Sequence, residues 1–415
     1  MRGEPPDAQL CADIAAANES TGFFALTGHG VDMNLVRTCL SAGAAFFDLD
    51  QEEKAKYVVQ NMTMGRGYEI SPEHQDYMAL FTKVVMMSSE QERAGLGHPE
   101  GSTRHGILSE RFMCGPPSIC GTDLSISSSS SSSSQSRRRE PEYYDSDLGK
   151  AFFGPNVWPC GSSAVVAPGS ASRAVIPLRS NMEALYEELD RVARVILRVF
   201  AVTLGEAEDF FDRVVDGHHS NMQVANYPSQ LCARPGLDYN NDELARQRDL
   251  VLRKKAHVDS GTITLLMADD WMPGSSTWRR ELGGLQLETR EGVWVDVVDV
   301  PPGAILVNLG TLMSVYTNGR WKSTLHRVVH PQPAVAEDSR RLSIAYFHKT
   351  DYDASITPVS SCIRQGKPPM FEALKASDLT RQGIMRRLLV EGLSASEASN
   401  RYHEVLQRIR EAQQE

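Results

Sequence analysis

His257 and Asp259 stand two residues apart in K-A-H-V-D-S-G-T-I-T-L-L, and His326 follows in W-K-S-T-L-H-R-V-V-H. The residues after Asp259 (Thr262, Ile263, Thr264, Leu265, Leu266) have the composition of a strand. Side chains two apart on a strand share a face, so His257 and Asp259 project together. Two imidazoles and one carboxylate hold a metal while leaving other positions open, a set suited to non-haem iron(II) and dioxygen. Structural zinc would call for four ligands, usually with cysteine, and no cysteine lies near these residues. Arg341 and Ser343 repeat the two-apart spacing in R-R-L-S-I-A-Y-F, another β-rich segment. A guanidinium beside a hydroxyl grips a small carboxylate, because the planar fork matches it bidentately. A metal with open positions beside such a clamp points to a keto-acid co-substrate that chelates the metal while its far end is held.

A lone His-x-Asp arises often by chance, and a strand histidine is more often packed or solvated than a ligand. Order, strand context and the downstream clamp set this one apart. The rival ligands are His330, just before Pro331 where the strand should be ending, and His348, whose strand parity differs from that of Arg341 and Ser343. The adjacent pair His218 and His219 would face opposite ways on a strand and is discounted.

These segments also resemble a family, the isopenicillin N synthase-like branch of the 2-oxoglutarate- and iron(II)-dependent dioxygenases. The resemblance rests on H-V-D-S-G-T-I-T-L-L, G-G-L-Q-L, W-V-D-V, P-P-G-A-I-L-V-N-L-G, Y-T-N-G-R-W-K-S-T-L-H-R-V and R-L-S-I-A-Y-F, in the family's order. It implies a double-stranded β-helix core and a triad of His257, Asp259 and His326 on iron(II). It further implies 2-oxoglutarate held by Arg341, Ser343 and Tyr227, the tyrosine of N-Y-P. The expected reaction consumes dioxygen and releases succinate and carbon dioxide while a small organic substrate is hydroxylated or desaturated; ascorbate is an optional reductant. Strand alternation puts Gln223 on Tyr227's face and Phe347 on the clamp's face, which makes both candidates to meet substrate. Glu110, Arg111 and Phe112 loosely match a family segment near the mouth of the site, which adds Phe112. The alternatives are an iron oxidase of the same fold without a keto acid, and a jelly-roll binding protein without chemistry.

The chain departs from the family in places. The usual apolar strand before T-G-F-F-A-L-T-G-H-G is missing, which raises the question whether Met1 is the natural start. Thr311 stands where relatives often carry aspartate, Ala225 where they often carry asparagine, and the segment from Pro331 to Ser339 is longer than usual.

With 415 residues the chain can bury a large core. A net charge of -10 argues against broad nucleic-acid binding, which runs on phosphate neutralisation by Lys and Arg. The 7 cysteines, irregularly spaced and odd in number, fit free thiols in a reducing compartment. The longest apolar stretch, Val192 to Leu204, is interrupted by Arg194 and Arg198, and no secretory signal is visible. The expectation is a cytoplasmic protein acting on a small molecule, with oligomeric state open.

Five regions follow: an N-terminal dioxygenase region over 1–112; a serine-rich insertion over 115–150, expected to be disordered; a linker and long supporting helix over 151–217; a jelly-roll over 218–350; and a helical extension over 351–415. The supporting helix is read from Met182, Leu185, Tyr186, Leu189, Val192, Val195, Ile196, Val199 and Phe200, which recur at helical spacing. Strands and turns without intervening helices from 220 to 350 give a mainly β fold of jelly-roll type with flanking helices.

Overall fold

The computed structural model describes residues 6–58, 65–70, 109–117, 143, 146, 149, 153–159, 165–166, 175–229, 252–273, 284–329, 339–366 and 368–380. The serine run, His330 and most of the expected C-terminal extension lie outside them. In chain order the elements are α1 (Ala8–Ser20), β1 (Phe23–Leu26), α2 (Met33–Phe47), α3 (Gln51–Ala55), β2 (Gly67–Ile70) and β3 (Glu110–Cys114). Next come β4 (Val165–Val166), β5 (Val175–Ile176), α4 (Leu178–Thr203), β6 (Asn221–Tyr227), β7 (Leu252–His257), β8 (Ile263–Ala268) and β9 (Leu285–Glu288). The rest are β10 (Trp294–Asp296), β11 (Ile305–Leu309), α5 (Thr311–Tyr316), β12 (His326–Val329), β13 (Arg341–His348), β14 (Ser355–Ile356) and β15 (Leu374–Lys375).

Two antiparallel sheets form the barrel. The larger runs β1-β11-β8-β13-β6-β3-β2 and the smaller β10-β9-β12-β7. Strand alternation divides the larger sheet's side chains between two cores. On its outer face Met222, Val224, Ile263, Leu265, Met267, Ile305, Val307, Ile344 and Tyr346 join one apolar cluster with the helices. On its inner face Ala225, Tyr227, Ala268 and Leu306 join a smaller cluster with Leu285, Leu287 and Val328 of the smaller sheet. That second cluster is where the sheets meet, and the candidate residues sit on its margins.

Helix α4 explains why the outer face is dry. Its 26 residues bury Met182, Leu185, Leu189, Val192, Ile196 and Phe200 on one stripe, so a polar face and an apolar one coexist at helical period. Near its end Phe200 meets Trp321 edge-on, with ring centroids 4.9 Å apart. Helix α2 packs on α4 and starts at an Asp32 cap that accepts from the Asn34 amide at 2.8 Å.

Three local expectations are corrected or sharpened. Helix α5 interrupts a stretch whose pattern reads as turns and strands, because Leu312, Met313, Val315 and Tyr316 all find buried places at helical spacing. Strands do not stop after Thr350: β14 pairs with β15, Ile356 opposite Leu374, a residue expected to be helical. The segment around Glu110, a loose match to the family, is strand β3, and with β2 around Gly67 it extends the larger sheet by main-chain pairing.

Candidate active site

His257 ends β7 and His326 begins β12, and the pairing sets them directly opposite each other. Their ring centroids are 4.2 Å apart. Asp259 lies just past the end of β7, with its oxygens 3.8 Å from His257 Nε2 and 3.8 Å from His326 Nε2. Those separations are too long for hydrogen bonds, so the three groups face a common point without bonding one another. His326 Nδ1 is 3.0 Å from the carbonyl of Thr324, which can only accept. Nδ1 therefore carries the proton and Nε2 presents its lone pair, the tautomer a metal requires.

Asp259 is braced from the larger sheet. Thr264 Oγ1 donates to its Oδ2 at 2.6 Å and Asn308 Nδ2 donates to the same oxygen at 2.8 Å. The amide and hydroxyl of Thr311, where relatives often place aspartate, both donate to the Asp259 carbonyl, at 2.8 and 3.0 Å. Burial alone would push the carboxyl up, yet the His326 and His257 rings, Thr264 and Asn308 together hold it below its ordinary value. Behind it two backbones touch: a Cβ on Gly310 would sit 2.2 Å from the Gly261 carbonyl oxygen, so Gly310 has no room for a side chain.

Arg341 opens β13 on the inner face, with Tyr227 of β6 directly across from it. Its Nε donates to Asp270 Oδ1 at 3.1 Å and its guanidinium lies 5.4 Å from the Trp271 ring centre. Ser343, buried and two residues on, shares that face. The spacing thus assembles an arginine, a serine and a tyrosine at one end of the strand face whose other end reaches Thr264, the partner of Phe347.

Two family models match the chain. The 2OG-Fe(II) oxygenase superfamily covers residues 219–350, and the N-terminal region of non-haem dioxygenase in morphine synthesis covers residues 2–98. The chain belongs to the 2OG-Fe(II) oxygenase superfamily. This oxygenase is similar to the 2-oxoglutarate-Fe(II) type oxidoreductase hxnY of Emericella nidulans, 28% identical over 90% of this chain and 83% of that protein. It is also similar to validamycin A dioxygenase of Streptomyces hygroscopicus subsp. limoneus, 28% identical over 86% of this chain and 76% of that one. Among solved structures, a 2OG-Fe(II) oxygenase family protein from Caulobacter crescentus has a TM-score of 0.60 at 22% identity. That match covers 91% of this chain and 94% of the bacterial one, a likeness of fold. The oxygenase is an oxidoreductase whose cofactors are iron(II) and 2-oxoglutarate.

The expected substrate residues divide. Gln223 and Phe347 both lie on the inner face, Gln223 opposite Ala345 and Phe347 opposite Thr264. Phe112 does not join them. It pairs with Val224, whose side chain belongs to the outer core, and packs against Phe46 at 4.8 Å and Trp158 at 5.7 Å between ring centroids. A one-residue step along β3 accounts for the correction: Arg111 and Met113, opposite Ala225 and Gln223, take the inward positions.

His348 and His218 converge on Asp190 of α4, behind the larger sheet. Two of its three groups are already paired, while His348 meets Thr262 Oγ1 through Nδ1 at 2.7 Å and its Nε2 has no partner among the described residues. Ser220 N donates to His218 Nδ1 at 3.3 Å, so His218 Nε2 carries the proton that Asp190 Oδ1 accepts at 2.8 Å. Asp190 also accepts from Arg194 at 2.8 Å and from the Tyr346 hydroxyl at 3.0 Å. Burial pushes the His348 ring far down, so it stays neutral. The tie between His218 and Asp190 depends on the helix's docking and has no local signal in the sequence. Thr264 and Asn308 do have one, each a polar residue at an inward position of an apolar strand.

Proposed function

We propose that His257, Asp259 and His326 hold iron(II) and that Arg341, Ser343 and Tyr227 fix the distal carboxylate of 2-oxoglutarate. On this reading the enzyme oxidises a small organic metabolite with release of succinate and carbon dioxide. The observation that carries it is the fit of the donor set: a bare imidazole nitrogen and a braced carboxylate facing one point, with a guanidinium, hydroxyl and phenol grouped farther along the same inner face. When bound, the metal and keto acid supply the activation of dioxygen.

The chain's own residues do the rest. Thr264 and Asn308 occupy Asp259 Oδ2 and so direct its other oxygen away from the larger sheet. Thr324 fixes the His326 ring through Nδ1. Asp270 takes the Nε edge of Arg341, and among the described residues the terminal amino groups of that arginine make no hydrogen bond, leaving a fork for a carboxylate. Phe347 and Gln223 line the space in which a substrate C–H bond is presented, and the apolar inner cluster keeps water away from it. Relatives named validamycin A dioxygenase and homoarginine-6-hydroxylase support a small-molecule substrate.

Anaerobic titration of the apoprotein with iron(II) and then 2-oxoglutarate tests the reading. The expected result is a weak visible charge-transfer band that saturates at one keto acid per chain, followed by succinate release in air. Iron binding without any 2-oxoglutarate band would instead favour an oxidase that uses no keto acid.

A further inference from the structure

Arg253 lies on β7, the strand that ends in His257, at a place where the pairing with β12 slips. Lys254 pairs with Val328 and Leu252 with Val329, so Arg253 is the extra residue between them. Such a bulge re-aims a side chain out of the strand's ordinary alternation. The side chain is 1% exposed. Its Nη2 donates to the Ser339 carbonyl at 2.7 Å, the Pro228 carbonyl at 3.1 Å and the Ser339 hydroxyl at 3.4 Å. Its Nη1 is buried and meets no acceptor among the described residues. The guanidinium also lies 5.8 Å from the centre of the Tyr227 ring. None of these partners is an anion, and no carboxylate forms an ion pair with Arg253 among the described residues.

Its neighbour differs. Arg341, paired with Tyr227 across the β6–β13 ladder, is neutralised along one edge by Asp270. Asp269 is near both arginines, but among the described residues it forms an ion pair with neither, and the Leu342 amide occupies its Oδ2. A buried guanidinium with one amino group unpaired and no carboxylate in contact is costly to keep. An anionic ligand beside it would offset that cost.

We propose that Arg253 is the second cation of the co-substrate pocket, placed beside Tyr227 to supply positive charge that the distal carboxylate of a dicarboxylic keto acid neutralises. It is a positioning residue: it ties the end of β6 to the start of β13 through the Pro228 and Ser339 carbonyls, and its field adds to the fork of Arg341. The proposal rests on the reading of Arg341, Ser343 and Tyr227 as the carboxylate clamp.

The test compares two keto acids that chelate iron alike, 2-oxoglutarate and 2-oxovalerate, the second lacking the distal carboxylate. Dissociation constants come from the anaerobic chelate band of the iron-loaded full-length protein, with iron affinity and melting temperature measured alongside. Arg253→Gln should weaken 2-oxoglutarate about tenfold or more, a change of about 1.4 kcal/mol or more, and leave 2-oxovalerate unchanged. Arg253→Lys, which keeps the charge but loses the fork to the two carbonyls, should retain most of the preference for the diacid. Equal losses for both ligands in Arg253→Gln would mark a structural role and overturn the proposal, as would no loss for either. Should Arg253→Gln fail to fold, loss of the diacid preference in Arg253→Lys overturns it and retention supports it. A wild-type protein that binds both keto acids equally would remove the clamp reading beneath it.

Discussion

His257 and His326 are direct cross-strand partners, their rings 4.2 Å apart, although 69 positions separate them in sequence (326 less 257). The β7–β12 pairing therefore positions two of the three candidate ligands at once, and Asp259 completes the set from the loop that follows. His326→Ala should weaken iron(II) binding at least about a hundredfold, while His348→Phe, on the opposite face of the larger sheet, should leave it intact. Anaerobic iron titration of the two variants decides this; full binding by His326→Ala would remove that residue from the centre.

Thr264→Val keeps the shape of the side chain and deletes the hydroxyl that bonds Asp259 Oδ2. Outer partners of metal ligands typically affect metal affinity by about 10- to 100-fold, and a loss in that range is expected. Thr264→Ser should restore it. An unchanged iron titration for the valine variant would show that Asn308 suffices alone.

Asp269 gives stability a distinctive pH dependence. Burial pushes its carboxyl from an ordinary 3.8 up to about 6. Between those values the unfolded chain ionises while the folded one holds its proton, so stability falls as pH rises through that window and levels off above it. The effect is about 2–3 kcal/mol, from about two pKa steps of ~1.4 kcal/mol each. Asp269→Asn should flatten this part of the profile and raise the melting point at neutral pH. Denaturant unfolding across the acid-to-neutral range measures it, and an unaltered slope would assign the dependence elsewhere.

Phe112 is fully buried against Phe46 and Trp158. Phe112→Ala should cost about 3–5 kcal/mol of stability with no change in 2-oxoglutarate affinity. Urea unfolding and the chelate band report the two separately. A selective change in keto-acid or substrate binding, without loss of stability, would return Phe112 to the site.

Much of the fold and the candidate site is legible in the sequence, for a physical reason. The clamp lies on a strand, where the period of two converts spacing directly into facing, and β13 obeys it from Arg341 through His348. The long helix is equally readable, since one apolar stripe suffices to mark α4. Reading fails where facing depends on a register no local pattern fixes. Phe112 has a plausible segment but no long alternating run, so whether it or Arg111 turns inward rests on how β3 meets β6. Helix α5 stays hidden because its six residues are too few to display a helical period. Asp190, His218 and His348 are brought together only by docking α4 on the sheet. Arg253 owes its placement to a slip in strand pairing that leaves no mark in the residues around it.

Strand β13 keeps its two kinds of residue on opposite sides: Leu342, Ile344 and Tyr346 turn to the helices, while Arg341, Ser343, Ala345 and Phe347 turn inward. Alteration of the inner lining is thereby uncoupled from the foundations that hold the molecule up. Variants at Gln223, Ala345, Phe347 or Met113 can explore new specificities while the helical buttress stays as it is, which makes those four positions the natural starting set for a directed library.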